Sequence, residues 1–163
     1  MAQSGFAGDS IRYSWHLMHQ VNKLMDNMKL ILTSIFLLIS AASFSQLTVT
    51  IENIRVDSGT VLIALYNSKK TFNNTGSMYR EGNVKVEKEK AVFIFEDLPE
   101  GEYAISLFHD INDNNMLDKT SFGIPHEPYG FSNNAIGAFG PPPYKKARFR
   151  YNGKTMELSI KLN

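Results

Sequence analysis

Apolar and polar residues alternate without a break through Thr155-Met156-Glu157-Leu158-Ser159-Ile160-Lys161-Leu162, and again through Ala147-Arg148-Phe149-Arg150-Tyr151. A period of two sends successive side chains to opposite faces of an extended strand. Met156, Leu158, Ile160 and Leu162 then share one face, Phe149 and Tyr151 share another, and Arg148, Arg150, Glu157 and Lys161 point away. Asn152-Gly153 between the two runs predicts a type I′ hairpin. Leu47–Ile51 alternates in the same way. Thr60–Tyr66 is a nearly continuous β-branched and apolar run, expected to be a central strand buried on both faces. Asn67–Gly82 is polar and reads as a long loop. Val84–Glu87 and Ala91–Phe95 read as a hairpin pair or one bent strand around Lys88-Glu89-Lys90, and Glu102–His109 as a further strand. Pro125, Pro128 and Pro141-Pro142-Pro143 make the stretch between Phe122 and Tyr144 ordered irregular surface. The expected fold class is all-β, with about seven strands, no significant helix and a sandwich architecture.

The first part of the chain stands outside that pattern. Met28-Lys29 precedes the apolar run Leu30–Ile39, and Ser43 and Ser45 occupy the −3 and −1 positions of a secretory signal peptide cut before Gln46. The run is shorter than the ~20 apolar residues of a spanning helix, so no membrane span is expected after cleavage. Residues 1–27 read as an over-extended or disordered N-terminus, 28–45 as the signal peptide and 46–163 as a single domain, periplasmic or extracellular. Removing Arg12, Lys23 and Lys29 from the 17 basic residues, and Asp9 and Asp26 from the 16 acidic ones, leaves 14 of each in Gln46–Asn163. A balance of zero gives no electrostatic footprint for nucleic acid or an acidic membrane. The chain has no cysteine, which excludes disulfides, thiolate metal sites, a cysteine nucleophile and a lipid-modified cysteine. Asn74-Thr75-Gly76 is not a glycosylation sequon.

One segment carries chemistry beyond scaffold. Asp110, Asn112 and Asn114 fall at every second position, and Asp118 closes the run. In a tight loop that spacing aims oxygen-bearing side chains at one centre, as in calcium loops of the D-x-[DN]-x-[DN]-G type. On the twelve-residue template Asp110, Asn112 and Asn114 take positions 1, 3 and 5, Met116 offers its carbonyl at 7, and Asp118 takes 9. Asn115 stands where glycine is usual, a mild departure because Asn tolerates the left-handed backbone. Ser121 replaces the bidentate glutamate at position 12, so a substitute acid is needed, and Glu127 between Pro125 and Pro128 is the candidate. Asp113 is expected to face solvent. The bland reading is a metal-free turn in which Asp and Asn oxygens accept backbone N–H groups.

Two further features invite rival readings. His109 and His126 flank the loop, and with Glu127 they outline a small metal-dependent hydrolase or zinc protein. No H-E-x-x-H pattern, nucleophile elbow or phosphate loop supports that reading, and a structural histidine is the simpler assignment. Tyr129, Phe131, Phe139 and Tyr144 either cover one end of the core or present rings to a sugar, peptide or partner protein.

Gly101-x-Tyr103-Ala104, the His109–Asp118 run, and Phe122-Gly123-Ile124-Pro125-x-Glu127-x-x-Gly130-Phe131-Ser132-Asn133-Asn134 together resemble the bacterial domain-of-unknown-function family 2141. The resemblance spans Leu47–Leu162. It implies a small exported all-β protein, similar to the antiparallel Greek-key sandwiches of transthyretin (prealbumin) and Cna-B type, some of which carry calcium loops. It implies no activity. The sequence reading is therefore an exported, monomeric, non-enzymatic sandwich with calcium held by Asp110, Asn112, Asn114, Met116, Asp118 and Glu127. Its expected partner is an envelope protein or glycan.

Overall fold

The computed structural model describes residues 6–39, 45–74 and 76–163, and the chain divides into two compact units, Met1–Ser43 and Phe44–Asn163. The first unit carries one helix, α1 (Phe6–Ile39), which runs through Met28 without a break. Among the described residues no helix is long and apolar enough to cross a membrane. Ser43 and Phe44 of the expected cleavage motif, and Thr75 of the tripeptide at 74–76, lie outside the described residues.

Among its described residues the second unit contains eight strands: β1 (Gln46–Glu52), β2 (Thr60–Tyr66), β3 (Arg80–Lys85), β4 (Ala91–Glu96), β5 (Gly101–Asp110), β6 (Tyr129–Phe131), β7 (Phe149–Tyr151) and β8 (Met156–Lys161). A single 3₁₀ turn at Ser132–Asn134 and the helical turn α2 (Tyr144–Ala147) are the helical pieces of this unit. One sheet has the order β4-β1-β8. The other has the order β3-β2-β5-β6, with β7 also on β5. Two short strands share one edge of β5: β6 pairs with Ser106–Phe108 and β7 with Gly101–Tyr103. The alternation puts Leu47, Val49, Ile51 and Ile160 on the inner face of the first sheet and Val61, Ile63, Leu65, Ile105 and Leu107 on that of the second. These side chains form one buried cluster, each contributing roughly 1.5–3 kcal/mol of burial. Ser45, just ahead of the expected cut, is tied into this unit by its hydroxyl, 2.6 Å from the Tyr151 hydroxyl and 3.1 Å from the Leu98 carbonyl.

The pairing differs from the sequence reading in three places. β7 and β8 are not a hairpin, because β7 pairs with β5 and β8 runs parallel to β1. Their apolar faces meet across the core instead of side by side. Of the Asn152-Gly153 pair only Gly153 has a left-handed φ, 73°, whereas a type I′ turn needs two. A hairpin turn with two left-handed residues falls instead at Lys88 and Glu89, φ 53° and 57°, inside a Glu87–Lys90 bridge. Its arms then part, so β3 joins β2 and β4 joins β1. Finally, β2 is central but not buried on both faces: Leu62 and Ala64, on its outer side, are half-exposed.

A second, smaller cluster covers one end of the outer face of the five-stranded sheet. Ala104, Phe131, Ala135, Tyr144 and Ala147 are buried there, with Phe72 and Tyr129 packed against them. Phe72 is its hub, with ring centroids 5.4 Å from Tyr66, 5.6 Å from Tyr144 and 6.1 Å from Phe131. Phe131 and Tyr144 thus belong to packing, and Tyr129 mostly so, while Phe139 of the same segment is fully exposed.

Candidate metal centre

β5 delivers Asp110 to the end of the sheet fully buried, and the chain curls back over it. One Asp110 oxygen accepts the Asn114 N–H at 3.1 Å and the other the Asn115 N–H at 2.7 Å. The Asn114 N–H is shared with the Asn112 side-chain oxygen at 3.2 Å, so those two acceptors lie side by side. The Asn114 oxygen in turn accepts the Met116 N–H at 2.7 Å. Asp118 closes the ring by accepting the Asn112 amide at 2.8 Å and the Asn114 amide at 3.1 Å. Asn115 takes the left-handed conformation, φ 62°, that its template position requires. Asp110, Asn112, Asn114 and Asp118 therefore converge, whereas the Met116 side chain is exposed and only its backbone belongs to the loop.

All these groups carry hard oxygens, the donor type that suits calcium and magnesium. As the loop stands, both amides turn nitrogen toward Asp118. A cation at this centre would need those amides rotated by about 180°, which exchanges two atoms of nearly equal size. It would also compete with hydrogen bonds already made. Among the described residues no group of three His, Asp or Glu side chains is placed to hold a metal, so the acidic charge available is low and the fit is to a weak site.

Glu127 reaches the loop from outside. It is 6% exposed, and its two oxygens accept the N–H groups of Ile111 at 2.9 Å and Asp118 at 3.1 Å. One carboxylate thus clasps both ends of the loop, directed at peptide groups. Asp113 is exposed, as expected, and its carboxylate also accepts the Thr60 hydroxyl at 2.5 Å and the Lys85 ammonium at 2.7 Å. The Lys85 hydrogen bond first, and the Thr60 one second, hold its carboxyl below the ordinary range. Spacing along the loop could not reveal this, because both partners come from other strands.

The two histidines do not share a site with Glu127. His109 is fully buried and sits 2.7 Å from the Ser58 carbonyl through Nε2. A carbonyl only accepts, so Nε2 is the donor in this contact. Nδ1 has no hydrogen-bond partner among the described residues. His126 is exposed, and its backbone N–H bonds the Asp118 carbonyl at 2.7 Å.

The family model described as "Uncharacterized protein conserved in bacteria (DUF2141)" matches residues 49–159. The chain belongs to this family. No curated protein and no solved structure matches it. Within the motif that carried the resemblance to DUF2141, Gly130, Ser132, Asn133 and Asn134 tie strands together, whereas Phe122 and Ile124 are exposed. Gly130 lies against β8, where a methyl group would come within 2.8 Å of the Lys161 carbonyl oxygen. Ser132 accepts the Ile105 N–H at 2.9 Å and donates to the Ala147 carbonyl at 2.6 Å. Asn133 donates to the carbonyls of Lys146, Ala147 and Arg148, and Asn134 accepts the Lys161 N–H at 2.8 Å. This run of DUF2141 residues pins β6 to β5, to α2 and to β8.

Proposed function

We propose that this DUF2141 protein is an exported, non-enzymatic β-sandwich that serves the cell envelope as a binding or structural module, with a divalent cation bracing its Asp110–Asp118 loop. The observation that carries the reading is the gathering of Asp110, Asn112, Asn114 and Asp118 into one hydrogen-bonded ring. Calcium is the expected ion, with Glu127 positioning the loop ends from outside. Millimolar affinity is enough for a module outside the cytoplasm. A non-enzymatic role is favoured by the closure of His109 onto Ser58 and the exposure of His126.

Scanning calorimetry with calcium tests the brace. At ten times Kd, linkage gives about 1.4 kcal/mol of added stability, seen as a higher Tm that a chelator reverses and that Asp118→Ala removes. An unchanged Tm for the wild-type protein in calcium sinks the cation.

A further inference from the structure

The outer face of the five-stranded sheet is only partly covered, and the uncovered part is a cleft of about 790 Å³. Its floor follows from the register. One row across the sheet reads Asn83, Leu62, Phe108, Tyr129, and the next reads Glu81, Ala64, Ser106, Phe131. Small side chains at Ala64 and Ser106 leave a hollow between the larger ones beside them. Asn115, Met116 and Leu117 of the Asp110 loop form one wall, Gly140 and Pro141 another, and Asn73 and Met78 a third.

We infer that this cleft binds a short neutral oligosaccharide. The size lies within the roughly 300–1,000 Å³ of ligand sites. Phe108 and Tyr129 are adjacent in register and partly exposed, and aromatic rings of this kind are what the C–H face of a pyranose covers. Around those two residues the side chains of Asn73, Asn83 and Asn115 and the hydroxyls of Ser106 and Tyr129 make no hydrogen bond with other described residues. Amides and hydroxyls both donate and accept, as sugar hydroxyls do. Glu81 and Lys119 are the charged residues lining the cleft, one of each sign, so neither an anion nor a cation is selected. An acyl chain would leave the amides and hydroxyls dry and unpaired, at a cost for each. An extended peptide adds to an open strand edge, whereas this cleft lies on a sheet face.

The inference deepens the reading of the chain as a binding module and does not depend on the cation. Calorimetric titration of the full chain with chitotriose, cellotriose, maltotriose and xylotriose tests it, in calcium and in EDTA. Saturable binding of at least one sugar is expected. Ser106→Trp, which fills the hollow from an outward position, should weaken that binding about tenfold or more. Asn83→Ala, which removes only a free amide at the edge, should weaken it several-fold with Tm unchanged. Binding by none of the four sugars, binding indifferent to both substitutions, or dodecanoate binding that Ser106→Trp abolishes while no sugar binds, each overturns the glycan assignment. Binding that is equal in calcium and EDTA upholds it, and the cation is judged separately by the calcium-dependent Tm.

Discussion

Thr60 donates its hydroxyl to the Asp113 carboxylate across 2.5 Å, joining the start of β2 to the middle of the Asp110 loop. With Lys85 on the other oxygen at 2.7 Å, a residue that a metal-loop template leaves idle becomes the mooring between loop and sheet. The loop is thereby held against β2 and β3, two of the four strands that form the cleft floor.

That mooring has a pH signature. The Asp113 carboxyl is held below its ordinary value of 3.8 by Lys85 and then Thr60. A lowered folded pKa contributes stability that is complete above the unfolded value and is lost as pH falls through the folded one. Urea titrations from about pH 7 down to about pH 2 should show wild type and Asp113→Asn converging at the acid end. A gap that stays constant with pH would show that the pair contributes nothing through its charge.

Glu127→Gln replaces one of two buried acceptors with an amide that faces a peptide N–H. The expected loss is about 1–3 kcal/mol, the cost of an unsatisfied buried donor, measured by chemical denaturation without added metal. The N–H of Ile111 or Asp118 should also exchange faster. Wild-type stability in this variant would mean that the clasp is not a structural tie.

Asn115→Gly should be close to neutral, while Asn115→Val should cost about 1–2 kcal/mol, because φ is 62° at this position and a left-handed backbone penalises a branched Cβ. Thermal melts of the two variants check this. Equal stabilities would place the residue elsewhere in backbone space.

Ser132→Ala removes the hydroxyl that serves the Ile105 N–H and the Ala147 carbonyl in a fully buried setting. About 1–3 kcal/mol should be lost. Gly130→Ala should be worse, since the added methyl meets the Lys161 carbonyl oxygen and the Ile160 Cγ2 at 2.8 and 2.9 Å. Denaturation curves that rank the two in the opposite order would refute this account of the motif.

The strands themselves were legible because alternation is a local property. The core faces of β1, β7 and β8 follow from it, as does the curl of the Asp110 loop from its Asp and Asn spacing. Partners were not legible where the choice was between sheets. Phe149 and Tyr151 need a buried face, and either a β8 neighbour or a β5 neighbour supplies one. Only the meeting of two sheets across the core decides for β5. The hydrogen-bond partners of Asp113 and Glu127 were not legible for a related reason, since they lie in β2, β3 and the loop ends. The open half of the outer sheet face was invisible as well. Ala64 and Ser106 are unremarkable residues until register sets them side by side.

The parallel pairing of β1 with β8 places the first strand of the domain beside its last. The three-stranded sheet is therefore incomplete until the final residues have been synthesised, and contacts this distant along the chain form slowly.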